Sequence, residues 1–169
     1  KGNTKVSLIT AAKNIKSWAL SIIYFSAFGG SLALTSWLPF FWVSNYGFSI
    51  IKAGVVTGLL SMLSPITRII GGRLSDIYRA EYINMLALSL CITGSLILSF
   101  SLSSSISIIG IGIMLSGIGL SNSSVFKLIP VYINGAVGGA AGIIGGIGAI
   151  GGFVIPPILG YVVNILGKN

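Results

Sequence analysis

One cation in this chain stands where charge is expensive. Arg68 follows the apolar run 53–63 and lies within S-P-I-T-R-I-I-G-G-R-L-S-D-I-Y-R, residues 64–79. Asp76 marks where a helix through this stretch meets water. Arg68 then lies roughly 12 Å deeper, at a helical rise of about 1.5 Å per residue. The hydrocarbon core of a bilayer is about 30 Å thick, so Arg68 falls near its midplane. A guanidinium keeps its proton there, and a charge at that depth costs ~2.5 kcal/mol or more. Such a group requires a water-filled cavity, an anionic ligand, or carbonyls or an acid on another helix. Intramembrane charges default to function, which makes Arg68 the expected substrate residue of a transporter. The alternative is a structural arginine held by carbonyls or by an acid.

The rest of the inventory excludes most other chemistry. The chain has 169 residues, of which 54% are apolar and 7% charged. Its mean hydropathy is +1.00. Soluble domains carry about 25% charged residues, so this composition belongs to an integral membrane protein. The acids are Asp76 and Glu81, histidine is absent, and the one cysteine is Cys91. No metal set, catalytic dyad or nucleophile–base pair can be assembled from these residues, and neither an enzyme nor a cofactor is expected. The net charge of +8 comes from basic residues scattered between apolar runs. It is a topology signal rather than a nucleic-acid footprint.

The elements that must position Arg68 are helices. The expected fold is an all-α polytopic membrane protein with about five transmembrane helices, at 18–43, 51–74, 82–102, 106–133 and 136–166. Residues 1–17 are polar, carry four lysines and are expected to form a cytoplasmic linker. Trp18 and Trp42 bracket the first span, as interfacial aromatics do. Tyr24 and Phe28 are four apart and share a helix face within it. Gly29, Gly30 and Ser31 follow and permit close helix approach. Pro39 sits near the outer end, and residues 45–47 form a turn. Lys127, late in the fourth span, is placed to snorkel to the inner interface or to serve function.

The fifth span is unusual in its glycine content. Eight of the fifteen residues from Gly138 to Gly152 are glycine. Each lowers intrinsic helicity by about 1 kcal/mol relative to alanine. Gly142 with Gly146, and Gly148 with Gly152, form small-xxx-small pairs. That density implies close approach by a neighbouring helix or by a ligand. Pro156 and Pro157 then kink or end the helix.

Five spans put the two ends on opposite sides of the membrane. Lys1, Lys5, Lys13, Lys16, Arg73 and Arg79 fall on one side, and Lys52 and Lys168 on the other. The positive-inside rule makes the first side cytoplasmic, so the N-terminal end of this segment is expected in the cytoplasm.

Three segments resemble the major facilitator superfamily, and within it the nitrate/nitrite porters. G-G-R-L-S-D-I-Y-R-A is similar to the superfamily's cytoplasmic G-x-L-x-D motif, with Gly72, Leu74 and Asp76 in the matching places. Ile77 stands where a basic residue is usual, and the later glycine is missing. G-I-I-G-G-I-G-A-I-G-G-F-V-I-P, from Gly142 to Pro156, resembles the nitrate signature of the eleventh helix. S-N-S-S-V-F-K-L-I-P resembles the tenth helix before it.

The resemblance implies a partial C-terminal half, helices seven to eleven, of a secondary transporter in the cell membrane. It implies a small anion, nitrate or nitrite, gripped between one arginine here and one in an N-terminal half. Arg68 matches the eighth-helix arginine. Tyr24 and Phe28 match the aromatics that border the anion, and Gly145 and Gly148 match the signature glycines. The implied partners are that anion, the lipid bilayer and the N-terminal half, with no nucleic acid. Other readings are a major-facilitator transporter of an organic anion or drug, and a transport-incompetent half acting through a partner.

Overall fold

The computed structural model describes residues 4–166, and every described element is a helix or a turn. Five helical stretches are long and apolar enough to cross a membrane: Ile15–Tyr46, Ile50–Ile77, Ala80–Ser99, Ser104–Tyr132 and Val137–Ile165. Their number is the number expected. Lys1 and Lys168 lie outside the described residues.

Two of the five stretches are composite. The first begins as α2 (Ile15–Tyr24), widens into a π-helical turn (Phe25–Gly29) and resumes as α3 (Gly30–Tyr46). The second is α4 (Ile50–Ser61) followed by α5 (Leu63–Ile77), broken at Met62. The others are α6 (Ala80–Ser99), α7 (Ser104–Tyr132) and α8 (Val137–Leu166).

Local chemistry explains these boundaries. Asn14 caps α2 by accepting the Lys16 amide at 3.0 Å, and Ser49 caps α4 from the Lys52 amide at 3.3 Å. Side-chain oxygens at this position satisfy amides that have no partner within the helix. Gly47 ends α3 in a left-handed conformation with φ 63°, which glycine adopts without a Cβ clash. Asn45 and Tyr46 remain helical, so the expected turn at 45–47 shrinks to its glycine. Pro65 has no amide to bond the Ser61 carbonyl, and the α4–α5 break falls beside that lost bond.

The N-terminal segment is more than a connector. Residues Thr4–Lys13 form α1, which packs on the start of α8. The Gly139 amide donates to Ser7 Oγ at 3.0 Å, and a methyl on Gly139 would lie 2.5 Å from the Ser7 carbonyl. Ala11 of α1 is fully buried. Ser7 thereby supplies from another helix an acceptor for the open N-terminus of α8.

α7 is the axis of the bundle. Half of its most apolar stretch is buried, against a third or less in the other four. Small residues set its seams. A methyl on Gly94 of α6 would lie 2.6 Å from the Gly110 carbonyl oxygen, and one on Gly117 would lie 2.6 Å from that of Ala87. On its other side α7 meets α5, where a methyl on Gly71 would lie 3.0 Å from Leu120 Cα.

The eight glycines of the 138–152 run divide in two. Gly139, Gly148, Gly151 and Gly152 press on α1, α2, the π turn and α3. Gly138, Gly142, Gly145 and Gly146 meet no atom within 4 Å. Of the two small-xxx-small pairs, Gly148 with Gly152 is a seam here and Gly142 with Gly146 is not. Packing within the chain therefore accounts for half of the run.

The two ends of the bundle carry different polar ties. At one end Lys16 lies 4.3 Å over the Tyr132 ring, and the Tyr132 hydroxyl donates to Glu81 at 2.9 Å. Lys127 pairs with Asp76 at the same end. At the other end the Tyr46 hydroxyl bonds Ser107 at 2.5 Å and Ser101 at 3.2 Å. This grouping is what five alternating crossings require.

Candidate functional site

Arg68 sits on α5, nine residues before the end of that helix, or about 13 Å from it along the axis. Gly119 of α7 lets α5 come close, since a methyl there would lie 3.1 Å from the Arg68 amide nitrogen. The guanidinium carbon is 6.0 Å from the centre of the Phe126 ring on α7. It also lies near the Tyr24 phenol, close enough for the two to interact electrostatically.

Tyr24 is the hub of this arrangement. It is 4% exposed and stacks on Phe28 with ring centres 5.2 Å apart and planes within 4°. It meets Phe126 edge-on at 5.0 Å. Its far side lies against Gly148, where a methyl would come 2.6 Å from Tyr24 Cε1. The π turn begins at the next residue. Ser31 Oγ closes it by donating to the Phe28 carbonyl at 2.7 Å. A π turn inside an α-helix commonly marks a functional position.

A cavity of about 230 Å³ opens beside Arg68. Phe28, Ser31, Leu32 and Thr35 line it from the first stretch, Ser61, Ser64, Pro65 and Arg68 from the second, and Leu115 and Asn122 from α7. Thr35 and Ser61 hydroxyls meet across it at 3.3 Å. A larger cavity of about 330 Å³ lies between the first stretch, α6, α7 and α8. Ile23, Leu88, Ile118 and Leu159 line it, and Cys91 is its only thiol. With no charged side chain in its wall, it lacks what an anion needs.

Among the described residues no acid pairs with Arg68. Asp76 is paired with Lys127. Glu81 accepts from Tyr132 and lies 3.6 Å from Arg79 Nε. These are the chain's two acids, and both serve the end of the bundle. Arg68 is also more open than a midplane charge is expected to be. It is exposed, as are Ile66, Ile69 and Ile70 around it, so this flank of α5 is uncovered among the described residues.

The expected site residues separate into two groups. Arg68, Tyr24 and Phe28 come together, and Gly148 backs Tyr24 directly. Gly145 is half-buried and touches nothing within 4 Å. The motif residues Gly72, Leu74 and Asp76 are helical rather than looped, because α5 continues to Ile77. Gly71, not Gly72, is the glycine of that pair that packs. Lys127 does not simply snorkel, since it finds Asp76. Among the described residues no three His, Cys, Asp or Glu side chains converge as metal ligands would.

Two residues of the site escaped the reading of the sequence. Phe126 supplies an aromatic wall to both Tyr24 and Arg68. Asn122, four residues earlier on the same face of α7, lines the cavity. The available signal was a carboxamide in an apolar span, one helical turn from an aromatic.

Residues 2–164 match the family model described as Major Facilitator Superfamily. The chain is 35% identical over 160 residues to a protein of Staphylococcus haemolyticus named "Probable nitrate transporter NarT". That match covers 94% of this chain and 41% of the relative. A protein of the same name from Staphylococcus epidermidis is 34% identical over 160 residues, with the same coverage. One from Staphylococcus aureus is 34% identical over 162 residues, covering 95% of this chain and 41% of the relative. The chain thus spans less than half the length of these relatives.

Proposed function

Because the chain belongs to the major facilitator superfamily, we propose that it forms part of a secondary transporter that moves nitrate or nitrite by alternating access. The observation that carries this reading is Arg68. It is a fixed cation in a membrane-spanning helix, it borders a small polar cavity, and neither acid of the chain is near enough to neutralise it. The names of the staphylococcal relatives support the same substrate.

Each residue has a role in this reading. The planar guanidinium offers paired N–H donors to two oxygens of a flat anion. The Tyr24 phenol lies near Arg68, where its O–H can donate to the anion. Phe28 and Phe126 wall the site with ring surface and limit its water, which strengthens the charge–charge attraction. Gly148 lets α8 close on the Tyr24 ring. Gly145 lies on the stretch of α8 that an N-terminal half would approach. That half supplies the opposing arginine and the second wall, and the bilayer surrounds both. The end bearing Arg79, Glu81 and Tyr132 faces the cytoplasm of a cell membrane. The small cavity favours an inorganic anion over an organic anion or drug.

The experiment is anion uptake by a complete transporter containing this chain, normalised to protein in the membrane. Arg68→Lys keeps the charge but loses the fork of donors, and uptake of nitrate and nitrite is expected to fall severely. Arg68→Ala is expected to abolish it. Both variants insert normally, because removing or conserving one charge does not hinder insertion. Near-normal uptake by Arg68→Ala overturns the reading.

A further inference from the structure

Asn122 is placed to do what Arg68 cannot do alone. It is 3% exposed, it lines the cavity beside Arg68, and its carbonyl oxygen has no hydrogen-bond partner. A buried polar atom without a partner is costly, and native proteins leave few of them. Its neighbours on α7 make the contrast plain. Ser121 donates to Asn84 Oδ1 at 2.8 Å, Ser124 to the same oxygen at 3.2 Å, and Ser123 to the Leu120 carbonyl at 2.9 Å. Those hydroxyls tie α7 to α6 or to itself. Asn122 makes none of these ties, and it is among the residues that line the cavity beside Arg68. Other buried atoms without partners belong to Ser17, Trp42, Thr57 and Ser75, and none of these lines that cavity.

We propose that Asn122 is a specificity-determining residue of the anion site, donating its carboxamide N–H to an anion oxygen that Arg68 does not reach. This rests on the anion reading of the Arg68 cavity. The terminal torsion of asparagine is roughly two-fold, so a half-turn exchanges its oxygen and NH₂ in place. Among the described residues no donor holds the oxygen and opposes that turn. A two-oxygen anion is satisfied by the guanidinium fork. A trigonal three-oxygen anion has one oxygen more to satisfy, and Asn122 meets it. Asn122 therefore favours nitrate over nitrite.

The test is concentration-dependent uptake of nitrate and of nitrite by a complete transporter containing this chain, with Arg68→Lys run alongside. Asn122→Leu keeps the shape and removes the donor. It is expected to raise the nitrate KM about tenfold or more, as loss of a hydrogen bond to a charged group does. The nitrite KM is expected to change much less. Asn122→Asp nearly preserves the shape and places an acceptor-only carboxylate at the site. Nitrate uptake should be lost at neutral pH and recover on acidification, relative to the unaltered protein, as the carboxyl gains a proton to donate. That pH profile keeps the test decisive if Asn122→Leu does not insert. Severe loss in Arg68→Lys with unchanged KM values in Asn122→Leu, or with a flat pH profile in Asn122→Asp, leaves the anion site standing and overturns the role of Asn122. Normal uptake by both Arg68→Lys and Asn122→Leu overturns the anion reading itself.

Discussion

The ring of Tyr24 and the backbone of Gly148 are in direct contact across the seam between α2 and α8. A methyl on Gly148 would stand 2.6 Å from Tyr24 Cε1. The same ring stacks on Phe28, and its phenol lies near Arg68. A change at Gly148 is thereby a change at the candidate anion site, although Gly148 itself carries no side chain to bind with.

Gly148→Ala is therefore expected to reduce uptake at least tenfold. Overpacking a close seam costs about 1–3 kcal/mol, and here the ring that must yield is the one beside Arg68. Gly145→Ala meets open space, so its membrane level and thermal stability should match the unaltered protein. Nitrate uptake and detergent-solubilised melting temperature check both. Equal stability losses in the two variants would contradict the division of α8 into packed and open glycines.

Tyr24→Phe separates the ring from the hydroxyl. The aromatic stack and the fit to Gly148 survive, while the oxygen near Arg68 is gone. Membrane level should be unchanged and the anion KM should rise several-fold, since one hydrogen bond is worth about 0.5–1.5 kcal/mol and more when a charge takes part. An unaltered KM would reduce Tyr24 to a packing residue.

The Asp76–Lys127 pair ties α5 to α7 at the surface, with side chains 61% and 43% exposed. Exposed pairs contribute about 0–1 kcal/mol. Asp76→Asn and Lys127→Gln should each lower stability by less than about 1 kcal/mol. The coupling between them should fall as salt is raised, because exposed charges are screened. A double-mutant cycle at low and high salt measures this. A coupling of several kcal/mol, insensitive to salt, would mean the pair is enclosed in the working protein.

Topology is tested with single cysteines in a Cys91→Ser background. Tyr78 and Asn45 are exposed at opposite ends of the bundle. A cysteine at 78 should react only with reagents given to the cytoplasmic side, and one at 45 only from outside. The reverse pattern would overturn the orientation.

The sequence alone determined the number of long apolar stretches and the place of Arg68 within one of them. Apolar run length and charge placement are properties of contiguous residues, and a bilayer imposes its thickness on each helix separately. Tyr24 and Phe28 were legible as one face for the same reason, being a single turn apart. Tertiary structure decided what those residues meet. Residues 4–13 are as polar as a connector, and only the proximity of Gly139 makes them a docked helix. Half the glycines of the 138–152 run pack and half do not, because a glycine is a seam only where another helix arrives. Asn122 and Ser121 are adjacent in the chain, yet Ser121 bonds Asn84 while Asn122 lines the cavity beside Arg68. Whether a polar group is satisfied depends on helices far off in sequence, and periodicity carries no record of them.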